Sequence, residues 1–446
     1  MFISIISGAN EGGNFYLKSK DLLKCIYMFN TMKIINANKL TEKYYDYLEL
    51  EKIEVVSQIL NEVKNDGDKA VKKYTKKFDN LNLENTLITR KQVEEAYKKV
   101  NPKDIQSLKK AAINIKFFAR EQFKTFKDFE IKKNGVILGQ KIVPIEKVGC
   151  YVPGGRYPLP SSALMNVIPA KVAGVKEIIV CSPKIHPLTI VAADIAGANK
   201  IFNIGGIQAI GAMAYGTKTV PKVNTIVGPG NKFVAAAKKE VYGVVGIDFI
   251  AGPSEVLIIA DETGNPEFIA ADLLAQAEHD SNARCDLLTM SKGLAKKVDK
   301  ELKIQLDNLP TKEIAKIALN NGRIVVVKDL TEAVNISNRR APEHLEIQVK
   351  DKKQLISKLT NYGSLFIGNY SAEVFGDYCS GTNHTLPTNG APNYTGGLSV
   401  KDFIKILTYQ EMDKKSCIDL GKIASRIADL EGLKGHKHAA DVRLKK

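Results

Sequence analysis

The stretch LLAQAEHDSNARCD, from Leu273 to Asp286, sets Gln276 and His279 three residues apart at the close of an otherwise apolar segment. Side chains three apart share a helix face. A carboxamide and an imidazole presented together can serve one metal ion or one ligand, since imidazole both binds zinc and titrates near neutral pH. The chain has six histidines, and three more stand in unusual contexts: His344 in RRAPEHLEI, His384 in GDYCSGTNHTLPT and His436 in EGLKGHKH. Asp377 precedes His384 around a glycine-containing turn, so Gln276, His279, Asp377, His384 and His436 form a nitrogen- and oxygen-donor set. Lacking thiolates, such a set suits an open catalytic zinc better than a closed structural one. It matches no short zinc motif such as HExxH, and each histidine taken singly reads more simply as a satisfied loop or core residue.

In APEHLE, Pro342 biases Ala341 away from helix, which places Glu343 and His344 where a loop enters the strand HLEIQV. A carboxylate beside an imidazole offers two proton acceptors of different strength to one substrate. A solvent-facing Glu with a capping His is the plainer alternative. The turns YVPGGRYPLPSS, NIGGIQAIG and IVGPGNKF fall at strand-to-helix junctions, where backbone amides and a helix N-terminus can receive a phosphate. None is a GxGxxG with an acidic residue about twenty positions on, so the usual dinucleotide fingerprint is absent. Tight-turn glycine accounts for them equally well.

These residues need elements to hold them. From Ala163, Ala-rich helical stretches alternate with short β-branched strands and glycine turns. A second series follows, in which a helix over Pro266–Ala277 leads to CDLLTM, and later helices lead to RIVVVKD, HLEIQV and GSLFIG. That alternation predicts an α/β fold of two tandem Rossmann-like parallel-sheet units without the GxGxxG fingerprint. Residues 41–120 carry apolar positions at three- and four-residue spacing and predict helices. The expected division is an N-terminal extension and helical arm over 1–49, a first α/β domain over 50–150 with 255–390, a second over 151–254, and a small helical tail domain over 391–446. Residues 1–31 precede a second plausible start at Met32 and read as an extension.

Composition sets the outer bounds. With 446 residues, more than one domain is expected. A hydrophobic share of 44 % with 26 % charged residues is that of a soluble protein, and no apolar run approaches the ~20 residues of a membrane span. The six cysteines form no CxxC pair, which fits reduced thiols in a cytoplasm. Cys150 and Cys181 lie near the glycine turns with no activating base around them in sequence, and read as structural rather than nucleophilic. The net charge of +16 comes from dispersed lysines with no recognisable nucleic-acid motif, so no nucleic-acid or membrane partner is expected.

Taken together, the chain resembles the histidinol dehydrogenase family. The resemblance is carried by VGCYVPGGRYPLPSSALMNVIPAKVAGV, GGIQAIGAMAYGT, VGPGNKFV, DFIAGPSEVLIIAD, DLLAQAEHD, APEHLEI, GDYCSGTNHTLPT and EGLKGHKHA, in order over roughly residues 32–446. It implies NAD-linked, zinc-dependent oxidation of L-histidinol, by way of L-histidinaldehyde, to L-histidine. It further implies one zinc per subunit held by Gln276, His279, Asp377 and His436, with His344 as general base and Glu343 as the activator of water. Ser254, His384 and Glu431 match the family's substrate contacts, as do His344 and the four metal ligands. Tyr151, Gln208 and Asn231 match its NAD contacts, which makes 151–254 the NAD-binding domain. The family is homodimeric, with the tail bearing Glu431 and His436 completing the partner's site. From the residues alone, a zinc hydrolase or deaminase acting without NAD stands as the alternative, because the same donors and Glu343 can activate water.

Overall fold

The computed structural model describes residues 31–47, 53–154 and 157–445. The chain divides into two units: one comprises residues up to Tyr47, Pro253–Glu373 and Thr388–Tyr394, and the other comprises Leu48–Gly252, Val374–Pro387 and Thr395–Lys446. The expected extension over 1–31 lies, but for its last residue, outside the described residues.

The first unit is built on a six-stranded parallel sheet in the order Lys33–Asn36, Arg323–Val326, Arg284–Thr289, Glu255–Ala260, His344–Gln348, Ser364–Ile367. Its strands alternate which face they feed. Val256, Ile258 and Ala260 pack under helices Pro266–Ala277, Lys292–Asn308 and Lys312–Leu319, while Leu257 and Ile259 pack under helix Leu330–Arg340. Both faces are covered, as near-continuous apolar strands require. The second unit holds a five-stranded parallel sheet in the order Lys200–Phe202, Glu177–Cys181, Lys147–Tyr151, Thr225–Val227, Gly246–Ile247. Helices Arg90–Lys99, Pro102–Phe123, Pro160–Ala173 and Pro187–Ala196 cover one face. Helices Glu54–Asp66, Asp68–Asp79, Gly206–Tyr215 and Lys232–Val241 cover the other.

Numbered from Glu255–Ala260 in one sheet and Lys147–Tyr151 in the other, each runs 3-2-1-4-5, with Lys33–Asn36 as an extra edge strand on the first. The two α/β units therefore share a topology that no sequence repeat announces. In such sheets the strand order reverses beside the central strand, and ligands gather in the crevice at the carboxyl ends there.

Two expectations change. The helices between residues 54 and 123 pack on the 147–247 sheet, not with residues 255–390, because their apolar faces meet Val148, Ile178 and Phe202. The described part of the N-terminal segment is no helical arm: Lys33–Asn36 pairs in parallel with Arg323–Val326 and is followed by two short 3-10 turns. The tail is helical at its end, as expected, and also supplies a strand. Ile404–Met412 forms an antiparallel sheet with Val136–Pro144, which pairs in turn with Phe129–Lys133. That hairpin turns at Asn134-Gly135, both at positive φ (52° and 79°), where Asn-Gly is the preferred pair. Helices Lys414–Leu430 and Lys434–Leu444 close the chain.

Candidate active site

In the first unit the predicted acid–base pair sits at the amino end of strand His344–Gln348. Helix Leu330–Arg340 stops at Ala341, held at φ 46°, and Pro342 and Glu343 lead directly into the strand. The left-handed conformation at a non-glycine residue costs about 1–2 kcal/mol and turns the chain sharply. Glu343 Oε2 accepts the amide N–H of Glu255 at 2.8 Å. His344 Nδ1 lies 3.0 Å from the Glu255 carbonyl oxygen and 2.9 Å from the Gln276 amide. A carbonyl can only accept, so the proton belongs on Nδ1, and the Gln276 amide satisfies the ring when it turns its oxygen to face it. The lone pair of the neutral ring then lies on Nε2, the form a general base needs. Carboxylate oxygens of Glu343 and Glu373 stand 3.6 and 3.9 Å from Nδ1, where they would stabilise the charge acquired on taking a proton.

Gln276 is 1 % exposed and ends helix Pro266–Ala277, which starts on an Asn265 cap and a proline at its first position. The helix closes two residues before His279, which follows in a turn, its N–H bonding the Gln276 carbonyl at 3.3 Å. A polar seam runs inward from there. His344, Glu346 and Gln348 alternate along one strand face, opposite Gln276 and Asp272, four apart on the helix. Burial, with Asp272 and Glu373 beside it, pushes the Glu346 carboxyl well above its ordinary range. Burial pushes Asp272 up to about 6, against a hydrogen bond from Glu346. The proton of this pair sits on Glu346. Glu346 Oε1 accepts the Glu373 N–H at 2.9 Å, which fixes the first turn of helix Glu373–Tyr378.

Glu373 was not foreseen. Its carboxylate lies within 4.8 Å of donor atoms of His279 and of Asp377, one turn along its own helix. Nitrogen and carboxylate oxygen without sulfur is a donor chemistry that suits zinc or manganese. The structure thus brings Gln276, Glu343 and His344 together and sets His279 against Glu373. Ser254 lies one residue before strand Glu255–Ala260, its carbonyl accepting the Arg284 N–H at 3.0 Å.

In the second unit His384 is engaged at both nitrogens: Nδ1–H donates to the Asp377 carbonyl at 2.8 Å, and the Ser162 hydroxyl donates to Nε2 at 3.1 Å. The proposed pairing of Asp377 and His384 exists, but through backbone oxygen rather than two side chains aimed at one ion. Glu431, just after helix Lys414–Leu430, and His436, on helix Lys434–Leu444, are exposed, and neither side chain makes a hydrogen bond or ion pair among the described residues.

The remaining predicted residues ring the carboxyl edge of the five-stranded sheet, at its switch point. Tyr151 ends the central strand; its hydroxyl accepts the Gly206 N–H at 3.1 Å, and burial pushes its pKa up to about 12. Gln208 is 1 % exposed, and neither atom of its amide has a hydrogen-bond partner among the described residues. Asn231 caps helix Lys232–Val241 by accepting from Phe233 and Val234 N–H. Gly228, at φ 114°, lies so close to Tyr151 that an added Cβ would stand 2.1 Å from its carbonyl oxygen. A buried ion pair grips that glycine: Lys238 pairs with Asp248, Lys238 Nζ donates to the Gly228 carbonyl at 2.9 Å, and Asp248 accepts the Gly228 N–H at 2.8 Å. Cys150 and Cys181 are fully buried on adjacent strands, and burial drives both thiols far up, which fits their structural reading.

Comparison with known proteins identifies the family. The family model described as histidinol dehydrogenase matches residues 46–444. Histidinol dehydrogenase of Methanocaldococcus jannaschii is 48 % identical over 418 residues, 93 % of this chain and 96 % of that one. The Clostridium acetobutylicum enzyme of the same name is 45 % identical over 433 residues, 94 % of this chain and all of that one. The crystal structure of histidinol dehydrogenase from Elizabethkingia anophelis superposes with a TM-score of 0.89 at 40 % identity, covering 94 % of this chain and 99 % of the other.

Proposed function

Because the chain belongs to the histidinol dehydrogenase family, we propose that it carries out the zinc-dependent, NAD-linked four-electron oxidation of L-histidinol, through L-histidinaldehyde, to L-histidine. The observation that carries this reading is the Glu343–His344 pair, two proton acceptors held side chain to backbone by one residue, Glu255. His344 Nε2 accepts the alcohol proton as the carbinol carbon gives up hydride. Glu343 accepts a proton from the water that adds to the aldehyde, and the resulting hydrate gives up the second hydride to leave a carboxylate. Ser254, His384 and Glu431 contact the substrate in this reading. Zinc is assigned to Gln276, His279, Asp377 and His436, with Glu373 as a further donor; when bound it orients the substrate's imidazole and amino groups. The donor chemistry of His279 and Glu373 supports it.

NAD is assigned to Tyr151, Gln208 and Asn231. Support comes from the switch-point edge, the capped helix N-terminus at Asn231 and the buried Gln208 amide. A homodimer with shared sites is part of the same reading. Exposed apolar side chains on strand Ile404–Met412 (Ile406, Leu407, Tyr409) and on helix Lys414–Leu430 (Leu420, Ile423, Ile427) support it, because isolated surfaces rarely group so many. The reaction is placed in the cytoplasm, in keeping with five described cysteines that are all free thiols. Among the described residues no helix is long and apolar enough to cross a membrane.

The test is the ratio of NADH formed to L-histidinol consumed, before chelation, after it, and with zinc restored. About two NADH per substrate, lost on chelation and regained with zinc, is expected for a four-electron oxidation. One NADH removes the water-activating role of Glu343, and metal-dependent turnover without NAD replaces the reading with a hydrolase.

A further inference from the structure

We infer that Glu255 and Arg340 are positioning residues that set the geometry of the Glu343–His344 pair. Three groups of Glu255 are committed at once. Its amide N–H goes to Glu343 Oε2 and its carbonyl to His344 Nδ1–H, while its carboxylate Oε1 accepts from Arg340 Nη2 at 2.8 Å. The strand ladder explains why these backbone groups are available. Pairing between Glu255–Ala260 and His344–Gln348 begins at Val256 opposite His344, so the Glu255 amide and carbonyl face that strand one residue before the ladder starts. The side chains of Glu343, just before the neighbouring strand, and of His344, its first residue, take the places that backbone groups would otherwise fill.

Arg340 is the last residue of helix Leu330–Arg340, and only Ala341 and Pro342 separate it from Glu343. The Arg340–Glu255 pair therefore closes a short loop: it ties the segment that carries both acid–base groups to the backbone that holds them. Both partners are buried, Arg340 at 3 % and Glu255 at 7 % exposure, and Asp286 and Tyr44 stand close enough to favour the guanidinium charge. A pair shielded from water in this way keeps one geometry, whereas a surface pair would not. Glu255 and Arg340 touch no reacting atom; they act through Glu343 and His344. The inference rests on the acid–base reading of those two residues.

Four variants and one exchange measurement test it on the full-length protein. Arg340→Met and Glu255→Ala should each lower kcat for L-histidinol oxidation about tenfold or more, the cost of a misplaced acid–base group. KM for L-histidinol and NAD, and zinc content, should stay within about twofold, since uniform binding is untouched. Glu255→Gln keeps an acceptor for Arg340 Nη2 and should retain kcat within about threefold. Wild-type kcat in Arg340→Met, or a Glu255→Gln variant as impaired as Glu255→Ala, overturns the inference. Should Arg340→Met not fold, Arg340→Lys is read by amide hydrogen exchange instead. The Glu255 amide should then exchange about tenfold faster than in the wild type while Ile258, in mid-strand, is unchanged; equal rates at Glu255 overturn the inference. That readout needs no turnover. If the wild type forms no NADH from L-histidinol, the functional reading fails, and exchange alone still judges whether Arg340 pins Glu255.

Discussion

At the scale of single residues, the proposed acid–base pair of Glu343 and His344 would divide its labour through its hydrogen bonds. The Glu255 carbonyl assigns His344 its tautomer, while the Glu255 amide holds Glu343 beside it. Glu343→Gln should therefore slow oxidation of L-histidinol to the aldehyde by no more than about tenfold, through loss of one carboxylate beside the His344 ring, and slow aldehyde oxidation about 10²–10⁴-fold. Single-turnover assays started from alcohol and from aldehyde separate the two, and equal loss in both would remove the assigned role. The seam behind the pair predicts a pH effect on stability. Asp272, ordinarily near 3.8, is pushed up to about 6 by burial. The folded chain thus holds a proton that the unfolded chain has released, and stability falls as pH rises from about 4 through 6. Asp272→Asn should gain up to ~3 kcal/mol over the wild type in urea unfolding at pH 7.5 and nothing at pH 4. A gain equal at both pH values would mean that the side chain's packing, not its ionisation, is at issue.

Sequence alone made part of this legible. Glu343, His344, Gln276 and His279 stood out because polar residues interrupt apolar runs. Glu346 interrupts the strand LEI in the same way, and Glu373 stands four residues before Asp377 at helical spacing, so both signals were present. Ser162 gave none: a serine at a helix start is most often a cap, and its partner His384 lies 222 positions away.

At the scale of elements, the strands and helices of the parallel sheets followed their periodicity, and helix Pro266–Ala277 has the expected bounds. The antiparallel ribbon did not emerge, although Asn134-Gly135 is a strong hairpin signal, because Ile404–Met412 finds its partner far away in sequence and its solvent-facing pattern resembles a loop. The loop carrying Gly228 shows how an element depends on a distant pair. Lys238→Met would strand Asp248 without its cation in the interior, which costs about 3–5 kcal/mol, and would release one of the two bonds on Gly228. The expected outcome is a lower Tm together with a raised KM for NAD and an unchanged KM for L-histidinol. A lowered Tm with NAD binding intact would separate the ion pair from the proposed nucleotide site.

At the scale of the whole molecule, shared active sites can be tested by mixing two inactive variants. His344→Asn has a defective core and a sound tail, and His436→Ala has the reverse. If each tail serves the partner's core, a mixed dimer holds one site built wholly from sound parts. Unfolding and refolding an equal mixture should then recover about a quarter of wild-type activity. No recovery would place His436 in its own subunit's site.

The edge strand Lys33–Asn36 pairs with Arg323–Val326, some 290 residues further along the chain. At the roughly 5–20 residues per second of protein synthesis, it leaves the ribosome about 15–60 s before its neighbour exists. Strand Val136–Pro144 waits similarly for Ile404–Met412. Each sheet edge is thus finished late in translation, and for most of that time a growing chain exposes one strand ready to pair with any other nascent copy nearby.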